Sequence, residues 1–171
     1  MSTTHTSTPE EQIPAQVPAA QGDLNRPTGV AQYLTPVVHD LVALAVNGKQ
    51  AHWHVRGTNF VGVHEFLDTV VADAQAGADS VAERIVALGL PVDARIGTVA
   101  ERTALPRLSP GFQQSAVTVR EIVLQLDAAL ATIYQAIDGL DSIDPVSQDV
   151  AIAVAQQLDK DRWFLFSHFA E

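Results

Sequence analysis

The sequence predicts an all-α fold, a bundle of four long helices with one long connection in the middle of the chain. Three observations support this prediction. Apolar residues recur at the 3.6-residue spacing of a helix in four segments, and no segment reads as a convincing strand. Prolines and glycines fall between these segments, most densely over residues 91–113. The 171 residues are 47% hydrophobic and 18% charged, which suits one domain with one core.

The amino-terminal residues 1–27 are expected to form a flexible tail ahead of a bundle domain at residues 28–171. The tail is rich in Thr, Pro, Ala and Gln and has almost no large apolar side chains to offset the entropy of ordering. No basic segment followed by an apolar one marks a secretion signal. No apolar stretch reaches the roughly 20 residues of a membrane span. We therefore expect a cytoplasmic protein with no membrane partner.

The first long helix is expected from about residue 30 to residue 55 or 56. Pro36 must lie in its first turn or separate an early turn from the main helix, because an interior proline removes a backbone hydrogen bond. Thr35 is then a candidate N-cap. A short turn ends this helix, and Thr58 or Asn59 within it can cap the second helix.

The second long helix is expected over residues 60–88, because the Gly89 and Pro91 that follow are a common helix stop. The connection at 91–113 is expected to carry one short helix, at 98–104. A connection of this length between two neighbouring long helices must run the length of the bundle.

The last two long helices are expected at about residues 114–138 and 145–169. Asp144 and Pro145 form a typical N-cap and first-position pair for the fourth helix.

The second helix carries four polar residues that share one stripe. With His64 set at 0° and about 100° per residue, Asp68 falls near 40°, Asp79 near 60° and Glu83 near 100°. They form two pairs with i,i+4 spacing, and each pair can hold one ion from one helix face. Imidazole combined with carboxylates suits iron or manganese, and the absence of cysteine rules out a thiolate site.

The axial spacing of the two pairs predicts a shared site. Asp68 and Asp79 are eleven residues apart, which is roughly 16 Å along a helix, whereas ligands lie within about 2–2.6 Å of a metal. The two pairs therefore cannot bind one ion within a straight helix. Two antiparallel copies related by a twofold axis would bring opposite pairs together and create two identical sites. His52, near the end of the first helix, could supply a further nitrogen ligand.

These residues resemble the hallmarks of the Dps family, the miniature ferritins. The matching segments are Lys49-Gln50-Ala51-His52-Trp53, Arg56-Gly57, Asn59-Phe60, His64-Glu65-x-x-Asp68, and Asp79-x-x-x-Glu83-Arg84. The resemblance covers about residues 30–171 and includes Leu158-Asp159-Lys160 and Trp163 near the carboxyl end.

The resemblance implies a ferritin-like subunit of a hollow, twelve-subunit shell. Family members oxidise Fe(II), usually with hydrogen peroxide, protect against oxidative stress and store ferric mineral inside. It implies that His52, His64, Asp68, Asp79 and Glu83 are ferroxidase ligands at twofold interfaces. It also implies that Trp53 is a sacrificial electron donor, and that Asp149, and less strongly Asp144, lines an entry pore.

Each assignment has a simpler alternative. Asp68, Asp79 and Glu83 could form ion pairs on a solvated helix face, and Trp53 could be a core residue. The acids near the fourth helix could serve only as caps and a solvated turn.

The chain is acidic, with a formal net charge of -10, which disfavours contact with nucleic acid and concentrates cations. DNA binding in the family usually relies on a lysine-rich tail, which is absent here, so we expect weak or no DNA binding. Two alternative functions remain open. The shell could be mainly structural or DNA-compacting, or the bound metal could activate water as in a metal-dependent hydrolase.

Overall fold

The computed structural model describes residues 25–169, with the main chain alone at residue 169. Most of the expected tail, residues 1–24, lies outside the described residues. The elements follow in the order α1 (Asn25–His54), β1 (Val55–Arg56), α2 (Phe60–Ala87), α3 (Ile96–Arg102), β2 (Gln113–Gln114), α4 (Ser115–Leu140) and α5 (Pro145–Phe166). A short 3₁₀ turn, Ser167–Phe169, follows α5.

The four long helices form the predicted bundle. α1 packs mainly on α2 and α4, while α5 packs on α4 and α2. All four contribute to one continuous apolar core, whose largest fully buried side chains include Leu34, Leu41, Leu44, Leu67, Ile85, Ile122, Leu126, Ile133, Leu140, Leu158 and Leu165. The predicted short helix of the crossover is present as α3, two residues earlier than expected.

The prediction for Pro36 was wrong. α1 begins at Asn25 and continues through Pro36, so Thr35 is not an N-cap. Pro36 lies on the exposed side of the helix, whereas Leu34 and Val37 on either side of it are completely buried. Burial of apolar side chains on both sides of the proline holds the chain helical, and it offsets the roughly 3 kcal/mol that an interior proline costs.

No segment was expected to be long and apolar enough to span a membrane. By length and composition α1 passes that test, and it alone does so among residues 25–169. In the fold, however, 56% of its apolar window is buried inside the protein. The apolar side chains of α1 therefore serve the core of the bundle.

Two buried polar contacts attach the crossover to the bundle. Asp40 of α1 accepts hydrogen bonds at 2.7 Å from the Thr103 hydroxyl and the Ala104 amide, and one at 2.6 Å from Thr132 of α4. His39 contacts the Asp93 carbonyl oxygen at 2.9 Å through Nε2. The crossover is thus held along its course rather than left as a free loop.

The ends of the crossover and of α1 meet in a pair of two-residue parallel strands, which the sequence did not predict. β1 pairs with β2 in the register Val55 to Gln113. Asn59 stands at the N-cap position of α2, as proposed, but in the left-handed region (φ 58°) and without a side-chain capping bond.

One buried carboxylate of the bundle lacks a complete set of partners. Asp161 of α5 is 1% exposed, and its Oδ2 atom has no hydrogen-bond partner. The Gln157 amide contacts Asp161 Oδ1 at 3.3 Å and Asp73 of α2 at 2.8 Å. The pKa of Asp161 is raised to about 7, first by desolvation and then by the negative charge of Asp73.

This raised pKa predicts a pH-dependent stability that Asp161→Asn removes. The unfolded carboxyl has an ordinary pKa near 4, so the fold favours its protonated form. The stability contribution of that form is lost as pH rises from about 4 to about 7. Asparagine does not titrate, and its amide can donate to Asp73. We expect the melting temperature of the variant, relative to the parent, to increase between pH 4 and pH 8 in chelator-treated buffer.

The exposed Asp138 supplies a charge-matched control. Asp138→Asn should leave the pH dependence of the parent in place. Parallel melting-temperature curves for the Asp161 variant and the parent would contradict the prediction.

Candidate metal centre

The centre of the candidate site is a reciprocal contact between two histidines. His52 lies at the end of α1 and His64 in the second turn of α2, so the turn between the helices brings them together. His52 Nδ1 donates to the His64 carbonyl oxygen at 2.7 Å, and His64 Nδ1 donates to the His52 carbonyl oxygen at 2.9 Å. The rings stack with their centroids 3.6 Å apart and an interplanar angle of 22°.

This contact fixes the tautomer of both rings. A carbonyl oxygen can only accept, so each Nδ1 must carry the proton, and a neutral ring then keeps its lone pair on Nε2. Histidines that bind metals are commonly held in this way, with the other ring nitrogen donating to a carbonyl group. His52 is also buried, at 8% exposed, which restricts its ring to this orientation.

Asp68 lies one turn beyond His64 and is paired with a lysine. Lys49 Nζ is 2.5 Å from Asp68 Oδ1, and His52 Nδ1 is 3.3 Å from the same oxygen. The hydrogen bond from Lys49 lowers the pKa of Asp68, with smaller contributions from the charges of the histidines and the lysine. Asp68 is therefore a carboxylate beside two oriented imidazoles, and the lysine balances its charge.

Asp79 and Glu83 lie further along α2, and both are exposed. Asp79 borders a groove of about 360 Å³ that small and apolar side chains mostly line, among them Val38, Val42, Ala45, Ala78 and Ala82. Arg84, which follows Glu83 in the sequence, donates instead to Ser147 and Asp144 at the start of α5.

The five predicted ligands do not meet within one chain. His52, His64 and Asp68 form one group, whereas Asp79 and Glu83 lie roughly three to four helical turns beyond Asp68. Within residues 25–169 no three histidine or acidic side chains are arranged to hold a metal ion.

Two aromatic residues lie near the histidines, Trp53 next to His52 in the sequence and Phe60 in contact with His64. Trp53 is 62% exposed in the single chain, so its interpretation as a core residue is not supported. Phe60 packs against His64 with ring centroids 5.0 Å apart. Phe60 was not predicted to have a role in the site, although its i,i+4 spacing from His64 places both on one helix face.

The two candidate pore residues differ sharply in their surroundings. Asp144 is the N-cap of α5, as predicted, and accepts from Ser147. It is 1% exposed, and its two oxygens pair with Arg26 at 2.8 Å and Arg84 at 2.6 Å. Burial alone would raise the pKa of Asp144, but these hydrogen bonds and charges lower it overall. Asp144 thus joins three helices and is buried in the single chain, whereas Asp149 is exposed.

Comparison with known proteins agrees with this architecture. A family model described as the ferritin-like domain matches residues 31–171. The chain is 30% identical over 148 residues to the DNA protection during starvation protein of Agrobacterium fabrum, covering 86% of this chain and 91% of that relative.

Solved structures are similar over nearly the whole chain. Dps from Microbacterium arborescens in the high iron form is 55% identical, with a TM-score of 0.84 over 90% of this chain and 100% of that one. Mycobacterium smegmatis Dps is 28% identical, with a TM-score of 0.86 over 92% of this chain and 90% of that one. The fold and these matches define a ferritin-like protein. Within that class, the chain belongs to the Dps family.

The difference in burial between Asp144 and Asp149 can be tested by measuring the melting temperatures of variants at the two positions. Asp144→Ala removes an N-cap and leaves two arginines without their carboxylate, which should cost roughly 3 kcal/mol and lower the melting temperature by about 6–12 °C. Asp149→Ala, at an exposed position, should change it by no more than about 2 °C. Equal, small shifts for the two variants, measured by thermal denaturation, would contradict the structural role of Asp144.

Proposed function

We propose that this protein oxidises Fe(II) at sites shared between two chains and stores the ferric product inside a homo-oligomeric shell. The observation that carries the proposal is the reciprocal histidine contact. It holds two imidazoles with their lone pairs on Nε2, and Asp68 Oδ1 lies 3.3 Å from Nδ1 of His52. This set of nitrogen and oxygen ligands suits Fe(II). It is incomplete in one chain, because Asp79 and Glu83 lie on the same helix but too far along it.

A second copy of the chain would complete the site. The groove beside Asp79 is formed largely by alanine and valine side chains, which allow another helix to approach closely. If α2 of a second copy packs there in the antiparallel direction, its His64 and Asp68 face Asp79 and Glu83 of the first. The twofold axis then produces two sites per dimer. We propose that these dimers assemble into a dodecamer in the cytoplasm, as the resemblance to the family implies.

Peroxide is the proposed oxidant. Two Fe(II) ions each give one electron to one hydrogen peroxide, which takes up two protons and yields two Fe(III) and two water molecules, without free hydroxyl radical. When a site holds one Fe(II), the second electron can come from Trp53, which follows His52 directly in the sequence. Lys49 neutralises Asp68 in the metal-free site and must release it when iron binds.

The negative charge of the chain favours both the entry and the storage of iron. A net charge of -10 per chain attracts Fe(II) and offers carboxylates for ferric mineral. The exposed Asp149 is the remaining pore candidate. The similar Microbacterium arborescens protein was solved in a high iron form, which supports iron as the substrate here.

Mixed shells provide the test of a shared site. Variant one is His64→Ala/Asp68→Ala, and variant two is Asp79→Ala/Glu83→Ala. Shells of either variant alone should lack rapid Fe(II) oxidation by peroxide in stopped-flow absorbance. When the two are refolded together, half the dimers are mixed, and each mixed dimer keeps one intact site. The mixture should therefore recover about a quarter of the parent rate per chain.

A triple variant provides the negative control. His52→Ala/His64→Ala/Asp68→Ala mixed with variant one leaves the same half of every site damaged, so no activity should return. Parent-like oxidation by the triple variant would refute the site, and failure of complementation between variants one and two would refute its sharing.

The relatives are named for DNA protection, and we propose that protection here proceeds through removal of iron and peroxide rather than through contact with DNA. The acidic chain repels phosphates. We expect no mobility shift of duplex DNA at physiological salt with micromolar protein. A shift that weakens steeply as salt rises would point instead to direct binding and a compacting shell.

A further inference from the structure

A second group of oxygen ligands lies between α2 and α5, within a single chain. Asp161 is 1% exposed and its Oδ2 atom has no partner. A buried polar atom without a partner costs free energy, and in native proteins it usually has an explanation such as an ion that completes the site.

The neighbours of Asp161 are suited to oxygen coordination. The Gln157 amide bridges Asp73 at 2.8 Å and Asp161 at 3.3 Å. Rotation of this amide by half a turn about its last bond would present its carbonyl oxygen in place of its nitrogen. Two carboxylates and one amide carbonyl are then available from two antiparallel helices.

A groove open to solvent reaches Asp73 and Gln157, and the buried Asp161 lies behind them. The groove has a volume of about 320 Å³, and Asp73 and Gln157 line one part of it. Small side chains, Ala76, Gly77 and Ala153 among them, keep it open between the two helices. A hydrated ion can therefore enter from solvent and keep some of its water molecules, which would fill the coordination positions that the protein leaves open.

We propose that Asp73, Gln157 and Asp161 bind one hard divalent cation per chain, of the class of Mn²⁺ or Fe²⁺. The cation supplies the partner that Asp161 Oδ2 lacks and neutralises the two carboxylates. The positive charge of Lys160 acts on Asp161 and would repel such an ion.

This site is separate from the shared one. At about 100° per residue, Asp73 faces roughly 180° away from His64 around α2. It therefore faces α5, while the histidine contact is made with α1. The inference does not depend on the proposed ferroxidase function, and it requires no second copy of the chain.

Manganese binding to the assembled, metal-free protein tests the proposal. The shared site is first removed with His64→Ala/Asp68→Ala, and Mn²⁺ binding is then followed by the loss of the free-ion signal in electron paramagnetic resonance. This background protein should bind about one Mn²⁺ per chain more tightly than its weak surface acids do. Addition of Asp161→Asn should abolish this class of binding, and Asp73→Asn should weaken it at least tenfold.

The control removes the same charge elsewhere. Asp138→Asn, on the exposed end of α4, should leave the tight class unchanged. Circular dichroism confirms that each variant is folded, and Asp161→Asn is expected to fold well because it removes a buried charge. An Asp161→Asn protein that binds Mn²⁺ with the stoichiometry and affinity of its background would overturn the proposal. So would a background protein whose Mn²⁺ binding is weak and unsaturable.

Discussion

A straight α-helix advances about 1.5 Å per residue, and this fixed rise determines how α2 can be used. The helix carries two pairs of potential ligands on one stripe, but Asp79 lies eleven positions beyond Asp68. No rearrangement of side chains can close that gap. The folded subunit therefore presents the two pairs of candidate ligands at different heights on one surface. The other faces of α2 bury Leu67 and Ile85 in the core and place Asp73 against α5.

Buried carboxylates recur in this bundle, and the number of their partners distinguishes their roles. Asp40 accepts three hydrogen bonds and ties the crossover to α1 and α4. Asp144 pairs with two arginines and a serine, so it holds the beginning of α5 against α1 and α2. Asp161 has one weak donor and a carboxylate neighbour. Asp40 and Asp144 have structural roles, because both oxygens of each carboxylate are paired. Asp161 differs from them because its Oδ2 atom has no hydrogen-bond partner.

Much of the fold was predictable because its signals are local. Helical periodicity located the four long helices, and the Asp144-Pro145 pair located the start of α5. Pro36 was misread because the burial of Leu34 and Val37, a tertiary effect, outweighs the local cost of the proline. The β1–β2 pair joins segments more than fifty residues apart, and two residues give no periodic pattern.

The site was predictable in part for the same reason. The i,i+4 pairs of α2 are a local pattern, and the resemblance to a family identified their companions. The reciprocal hydrogen bonds from the rings of His52 and His64 to main-chain carbonyl groups depend on the geometry of the turn that joins α1 and α2. Residue spacing in the sequence does not encode that geometry. Asp161 was overlooked because an aspartate on a helix usually faces solvent, and its burial follows from the packing of α5.

The Lys49–Asp68 ion pair bears on assembly as well as on chemistry. Two subunits that meet around a twofold axis with empty sites would bring several carboxylates close together in a poorly hydrated interface. A lysine that already neutralises one of them reduces this repulsion before any iron arrives. In the proposed function, assembly therefore does not have to wait for iron, because the charge of Asp68 is already balanced in the metal-free subunit.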